Sequence, residues 1–340
     1  MIPEFGFNPR NLLINGAMGV AQRLPVAGSL LVTNLGVGYG VDRWRGIAAR
    51  TDALALDNGM SQEWFNTVKP DGGKGSFLFE RSSGGPDTNF VRFEQRVEAK
   101  FIGNIAESKG TIYGEFLRHP SLADLNIRIR FGVKVAASED VHVDLLDTDD
   151  FDVVLDPIKV GGVSNGELLS GQISTSQFER FYATFDLPTG AENGLAISYH
   201  FVNDAGNPLP NQDTMYLSNL GFSLGGVLHP FREAGENRPD EELRLCRRYF
   251  EVVEPGHFTW VPDATNGTIG VGQNAFFEQK RVLPSTDSAI AITNPNGGGG
   301  FTTSSVSVST SGCPLIVTVG AMIADRHYDN VNPMLFSAEL

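Results

Sequence analysis

The densest set of metal-type oxygen donors lies between Glu139 and Asp156, where eight acids occur with no Lys or Arg among them. Within that run Asp147, Asp149, Asp150 and Asp152 could assemble ligands for a structural calcium, the one cofactor the sequence suggests. Their spacing is not that of an EF-hand loop: Phe151 and Asp152 hold the fifth and sixth places and Ile158 the twelfth. A solvated hairpin tip and an irregular calcium site are the two readings. Gly162-Val163-Ser164-Asn165-Gly166 matches the G-x-S-x-G nucleophile elbow, which needs a strand before it and a helix after it. Val153–Leu155 could be that strand, but Leu168-Leu169-Ser170-Gly171 cannot supply the helix, so a glycine-rich turn is expected. Gly36-Val37-Gly38-Tyr39-Gly40 and Gly270-Val271-Gly272 lack the full dinucleotide fingerprint. The histidines show no metal-ligand spacing, and no catalytic carboxylate pair can be picked out among 40 acids. No catalytic residue is assigned, and the chain is read as not an enzyme. Trp64 and Trp260 sit beside turn residues and could stack on sugar rings; with Asn66 and Asp71 they are the candidate ligand-binding residues. Trp44, by contrast, is expected in the core.

These residues must be carried on strands. Period-2 alternation dominates: in Asn126–Val135 the residues Ile127, Ile129, Phe131, Val133 and Val135 fall on one side, and Arg128, Arg130 and Lys134 on the other. That predicts a half-buried strand with its basic face to water. Similar patterns predict strands at Ser76–Glu80, Phe90–Val97, Thr111–Leu117, Val141–Leu145, Phe178–Leu187, Leu195–Phe201 and Thr214–Leu224. Turn clusters such as Pro70-Asp71-Gly72-Gly73 punctuate them, which argues for a β-sandwich or barrel. One helix is expected, near Pro239–Tyr249: Pro239 suits a first turn, Asp240, Glu241 and Glu242 its positive end, and Arg244, Arg247 and Arg248 its last turn. Beyond it, strands are expected at Phe250–Glu254, Phe258–Val261, Phe276–Val282, Ala289–Thr293, Phe301–Ser309, Pro314–Ile323 and Leu335–Ala338, with Asn294–Gly300 an exposed loop.

Composition narrows the function. The 340 residues are 41% hydrophobic and 19% charged, enough to build a core, and 39 Gly with 18 Pro favour many short strands. Lys+Arg 26 against Asp+Glu 40 gives a net charge of −14, which makes nucleic acid and anionic bilayers poor partners. No apolar run reaches the length of a membrane span, and the opening residues lack a signal-peptide apolar region. Two cysteines cannot form a disulfide framework, so a reducing compartment is expected. The division read from these patterns is an N-terminal arm (1–10), a first β domain (11–232) and a smaller C-terminal β domain (233–340) joined by the short helix.

An ordered set of motifs is more specific. Asn11-Leu12-Leu13-Ile14-Asn15-Gly16, then Gln22-Arg23, then Val41-Asp42-Arg43-Trp44, resembles the opening of a phage and prophage tail-fibre-like family with a carbohydrate-binding-module jelly roll. Phe93-Glu94-Gln95-Arg96-Val97-Glu98, Phe178-Glu179-Arg180-Phe181-Tyr182, Glu241–Phe250 and the closing Phe336-Ser337-Ala338-Glu339-Leu340 continue the resemblance in order. It departs at Ala17-Met18, where similar modules continue with Phe-Glu and use that carboxylate for a structural calcium, and at Arg247, where the family prefers Gln. On the residues alone, Asn15-Gly16 suits a tight turn with Gly accepting the positive φ, and Asp42-Arg43 a local pair; these are fold-forming residues rather than a binding site.

The resemblance implies an all-β chain with an N-terminal jelly-roll β-sandwich, and a virion part assembled in the bacterial cytoplasm. As a homotrimer it would contact other virion proteins and bind a host-surface glycan as a tail-fibre or spike component. The alternative is a head-decoration or head-fibre protein anchored through its N-terminal arm, without a catalytic role. A glycan-degrading enzyme, resting only on abundant carboxylates, is the third class.

Overall fold

The computed structural model describes residues 11–22, 30–33, 37–39, 41–50, 60–81, 88–102, 109–122, 127–143, 150–163, 166–203, 213–234 and 239–253, followed by the strand segments 259–262, 269–272, 285–286, 291–293, 301–302, 305–307, 316–318, 328–330 and 334–337. The chain divides into two units, Met1–Glu242 and Leu243–Glu339.

In the first unit the strands are β1 (Leu30–Thr33), β2 (Val37–Tyr39), β3 (Arg45–Arg50), β4 (Met60–Phe65), β5 (Ser76–Arg81), β6 (Thr88–Glu98) and β7 (Lys109–Arg118). They continue with β8 (Ile127–Val135), β9 (Val153–Leu155), β10 (Ile158–Lys159), β11 (Leu168–Leu169), β12 (Glu179–Asp186), β13 (Gly194–Asn203) and β14 (Asp213–Leu224). One sheet runs β1-β4-β5-β14-β7-β12-β10 and the other β11-β8-β13-β6-β3-β2, with β9 also paired to β8; every pairing is antiparallel. The passages β5 to β6, β6 to β7, β7 to β8, β12 to β13 and β13 to β14 each cross between sheets. The strand orders β5-β14-β7-β12 and β6-β13-β8-β11 are those of a jelly roll, two Greek keys closed over one core. The fold is an all-β sandwich.

Alternation explains why these residues form it. Phe77, Ile112, Phe116, Phe181, Phe185, Leu217 and Phe222 from the first sheet meet Phe93, Ile129, Phe131, Ile197, Tyr199 and Phe201 from the second, all buried. Trp44 is fully buried and packs on Tyr199 with ring centroids 5.9 Å apart. Tyr199 also ties the two sheets: from β13 its hydroxyl donates to Tyr113 O of β7 (2.9 Å) and accepts from Gly221 N of β14 (3.1 Å). Burial holds that phenol well above its ordinary pKa, so it stays a donor.

Asn11, Asn15, Gln22, Asp42, Trp44, Gln95 and Glu242 converge on one closing network. Asn11 Oδ1 accepts from Leu13 N and Phe222 N, each at 3.0 Å, while its Nδ2 donates to Leu220 O. Gln95 clasps both backbone groups of Ile14, accepting from its N–H at 2.6 Å and donating to its carbonyl at 2.8 Å. Asn15 Nδ2 donates to Val20 O and Asp42 O, its carbonyl accepts from the Trp44 indole, and its N–H donates to the Glu242 carboxylate. Gln22 donates through both N and Nε2 to Asp42. The motif residues close the fold.

Several local expectations are corrected. Asn15, not Gly16, takes the left-handed conformation (φ 58°); Gly16 is needed because a Cβ there would lie 2.0 Å from Leu220 O. Asp42 and Arg43 are both buried, and Arg43 donates to Arg96 O. The segment Val141–Val143 is no strand: only a Ser138–Val141 bridge forms, and both valines are more than half exposed, so alternation there does not reflect burial. The basic face of β8 does not simply meet water. Arg128 pairs with Asp156 and Glu167, and Lys134 with Asp152, so the acidic connection after β8 folds back on it.

Two α-helices occur among the described residues, α1 (Ala99–Ile102) and α2 (Pro239–Arg247), the second with the expected Pro start and its acids and bases at opposite ends. The division between the units falls inside α2. In the second unit the strands are β15 (Phe250–Val253), β16 (Thr259–Pro262), β17 (Ile269–Gly272), β18 (Ser285–Thr286) and β19 (Ala291–Thr293). They are followed by β20 (Phe301–Thr302), β21 (Ser305–Ser307), β22 (Ile316–Thr318), β23 (Tyr328–Asn330) and β24 (Met334–Ser337). A three-stranded sheet, β15-β24-β18, and a seven-stranded sheet, β20-β19-β23-β16-β17-β22-β21, are both antiparallel. The expected strand Phe276–Val282, the loop Asn294–Gly300 and the arm 1–10 lie outside the described residues.

Candidate functional site

A polar hollow of about 380 Å³ opens on the outer face of the first sheet. Its floor is a row set by strand register: Arg180 of β12 stands opposite Glu115 of β7, and Glu115 opposite Ser218 of β14. A bulge between Ser218 and Gly221 inserts Asn219 beside that row, in a left-handed conformation (φ 49°). One wall is the turn between β4 and β5, with Asp71 and Lys74, and the other the segment after β14, with Phe231 and Glu233.

The parts are fixed in sequence. Gly221 leaves room for the Tyr113 ring, whose Cζ would lie 2.1 Å from a Cβ at that position. The Arg180 guanidinium rests 4.8 Å above this ring, and Phe231 meets it edge-on at 6.4 Å. Arg180 Nη2 donates to His229 O at 2.5 Å, which anchors the second wall. Glu233, 3% exposed, pairs with Lys74 at 2.5 Å and joins that wall to the first. The first wall is a tight turn, closed by Gly73 N donating to Pro70 O and by Ser76 Oγ donating to Val68 O. The hollow is therefore preformed.

Its electrostatics follow from burial. Desolvation raises the Glu115 carboxyl above the usual carboxylate range, while a hydrogen bond from the Asn219 amide and the nearby Arg180 charge pull it back. Burial lowers Arg180, partly offset by Tyr113 and Glu115, and Tyr113 is pushed up to about 12, chiefly by burial. Two polar atoms on this floor, Asn219 Oδ1 and Arg180 Nε, are buried without a hydrogen-bond partner. An acceptor and a donor left unpaired in one hollow are what a hydroxyl-bearing ligand satisfies.

Replacing Gly221 with alanine should evict the Tyr113 ring and collapse this floor. We expect a loss of about 1–3 kcal/mol by denaturant titration, with ligand binding lost in the fraction that stays folded.

Of the four residues picked from the sequence, only Asp71 lines this hollow, where it is exposed at the mouth. Asn66 is exposed in the bend after β4. Trp64 turns inward: its ring packs on the core and its indole N–H donates to Met18 O at 2.8 Å, so it helps close the sandwich. Trp260 lies on β16 in the second unit, and its side chain lies outside the described residues. Glu115, Arg180 and Asn219 were missed because they meet only through register. A signal for Asn219 exists: Met215 and Leu217 alternate with Leu220 and Phe222 at a shifted parity, which marks the bulge.

Two of the four calcium candidates, Asp150 and Asp152, lie among the described residues. Asp152 accepts from Lys134 Nζ (3.0 Å) and Val135 N (2.8 Å), Asp150 is exposed, and Asp147 and Asp149 lie outside the described residues. No group of three metal-binding side chains occurs among the described residues. The G-x-S-x-G segment is followed by β11 and a single 3-10 turn, not by the helix an elbow needs, and Ser164 lies outside the described residues. Its glycines instead border a smaller hollow of about 230 Å³ with Ile158, Leu168 and Phe181, whose one lysine, Lys159, is paired with Glu179.

No known protein-family model matches the chain, and no curated protein does. Among solved structures it is similar to the CBM22-1 xylan-binding domain of Paenibacillus barcinonensis Xyn10C. The likeness has a TM-score of 0.32 and 12% identity, and covers 59% of this chain and 98% of that domain. At that distance nothing about ligand passes from one to the other.

Proposed function

We propose that this chain is a non-catalytic phage or prophage virion part, a tail-fibre or spike component that grips a host-surface glycan in the hollow on its first sheet. The observation that carries the binding role is the convergence of Asp71, Glu115, Arg180 and Asn219 beside Phe231 in one preformed hollow. Sugars are held by few, fixed hydrogen-bonding groups next to an apolar ring, and that is the inventory present. The virion role rests on the ordered motifs from Asn11 to Leu340, of which Asn11, Asn15, Gln22, Asp42, Trp44, Gln95 and Glu242 take part in closing the sandwich. Self-association as a homotrimer and docking on other virion proteins belong to the same reading.

A glycan array probed with the purified full chain, followed by calorimetry on the strongest hit, tests it. Asp71→Ala, at an exposed turn, should leave the melting temperature unchanged and weaken the hit by about 10-fold or more, the worth of a hydrogen bond to a charged group. An empty array together with unimpaired adsorption of particles lacking the chain would overturn the glycan role in favour of head decoration.

A further inference from the structure

We infer that the hollow selects an uncharged sugar whose hydroxyls act as donors, and rejects glycans that carry carboxylate or phosphate at the bound position. This rests on the glycan reading above and narrows its ligand class. The fixed charges inside the hollow already offset each other. Lys74 is matched by Glu233 at 2.5 Å, and Arg180 stands opposite Glu115 on the neighbouring strand. Arg180 is moreover committed, its ring-side face to Tyr113 and its Nη2 to His229 O. Both cations in the lining therefore already face a carboxylate, which leaves the unpaired Arg180 Nε as an open donor but no uncompensated positive charge.

What remains is weighted toward acceptors. Asn219 is 6% exposed, its amide nitrogen is turned to Glu115, and its Oδ1 accepts no hydrogen bond. Asp71, at the mouth, adds a carboxylate acceptor. Carboxylate and phosphate bring acceptors to acceptors, and at the mouth they meet a like charge on a chain of net charge −14. A hydroxyl brings the missing donor and can also accept from Arg180 Nε, the unpaired donor of the same floor. Phe231 supplies the apolar surface that a sugar ring's C–H face covers.

The test uses pairs that differ only in charge. Polygalacturonate, alginate and hyaluronan are each compared with their carboxyl-reduced forms, alongside a panel of neutral polysaccharides, by biolayer interferometry on the full chain. The inference expects binding among the neutral or reduced forms, with any acidic parent about tenfold weaker than its reduced partner, and Asp71→Asn narrowing that gap. An acidic parent that binds as well as or better than its reduced form overturns the charge selection and leaves the glycan reading standing. Binding to no polysaccharide of either kind overturns both.

Discussion

Gly16→Ala is expected to cost the sandwich about 3 kcal/mol or more and to lower its melting temperature by roughly 6–12 °C. The added methyl would sit 2.0 Å from Leu220 O, a backbone atom with nowhere to go. Gly16 O accepts from Leu220 N at 2.9 Å, and Asn11 binds the same stretch of β14 through Leu220 O and Phe222 N. Relief therefore means detaching the 11–16 segment from β14 and, with it, the Ile14–Gln95 clasp and the Asn15–Trp44 bond. Gly226→Ala is the control, since a Cβ there meets only the flexible Lys109 side chain, and it should change stability by less than about 0.5 kcal/mol. Equal thermal stability of the two variants would show that the motif segment does not close the fold.

The second large effect is acid sensitivity from His200. This side chain is fully buried on the outer face of the second sheet, with neither ring nitrogen hydrogen-bonded. Register places Arg92 of β6 on one side and Arg130 of β8 on the other, with Glu94 one row along. Phe151 covers it edge-on at 4.4 Å, and Gly132 makes the space, because a Cβ there would lie 2.6 Å from the imidazole. Burial first, then the two arginines, hold its pKa well below the ordinary histidine value. The folded state therefore keeps His200 neutral while the unfolded chain protonates it below pH ~6.5, so folding stability falls as pH drops through that window. The slope is at most about 1.4 kcal/mol per pH unit. His200→Leu should remove this component, so the wild-type-minus-variant stability difference should fall as the pH goes from 6.5 to 5 in urea titrations. A difference that does not change with pH would contradict the buried neutral state.

The two cases show what was legible in the sequence. Strands β6, β7, β8, β12, β13 and β14 were readable because their alternation has long runs and one buried face, and Trp44 and the Pro239 helix start followed from size and capping chemistry. Strands of two or three residues, β9 to β11, carry no period to read. Alternation at Val141–Val143 misled because nothing packs on it. Of the residues that carried the resemblance, Asn11, Asn15, Gln22, Asp42, Trp44, Gln95 and Glu242 hold backbone segments together in the closing network. The hollow was almost illegible: Asp71 was picked, but its partners come from β7, β12, the β14 bulge and the segment after it. Antiparallel register brings them together, and no single stretch of sequence contains it.

The most direct measurement is a crystal structure of the full chain soaked with the tightest-binding neutral oligosaccharide from the array. The sugar is predicted to sit on the outer face of the first sheet, with a hydroxyl between Asn219 and Arg180, a contact to Asp71 and its ring against Phe231. A sugar seated instead at the β10–β11 edge or on the second unit, with this hollow holding only water, would contradict it.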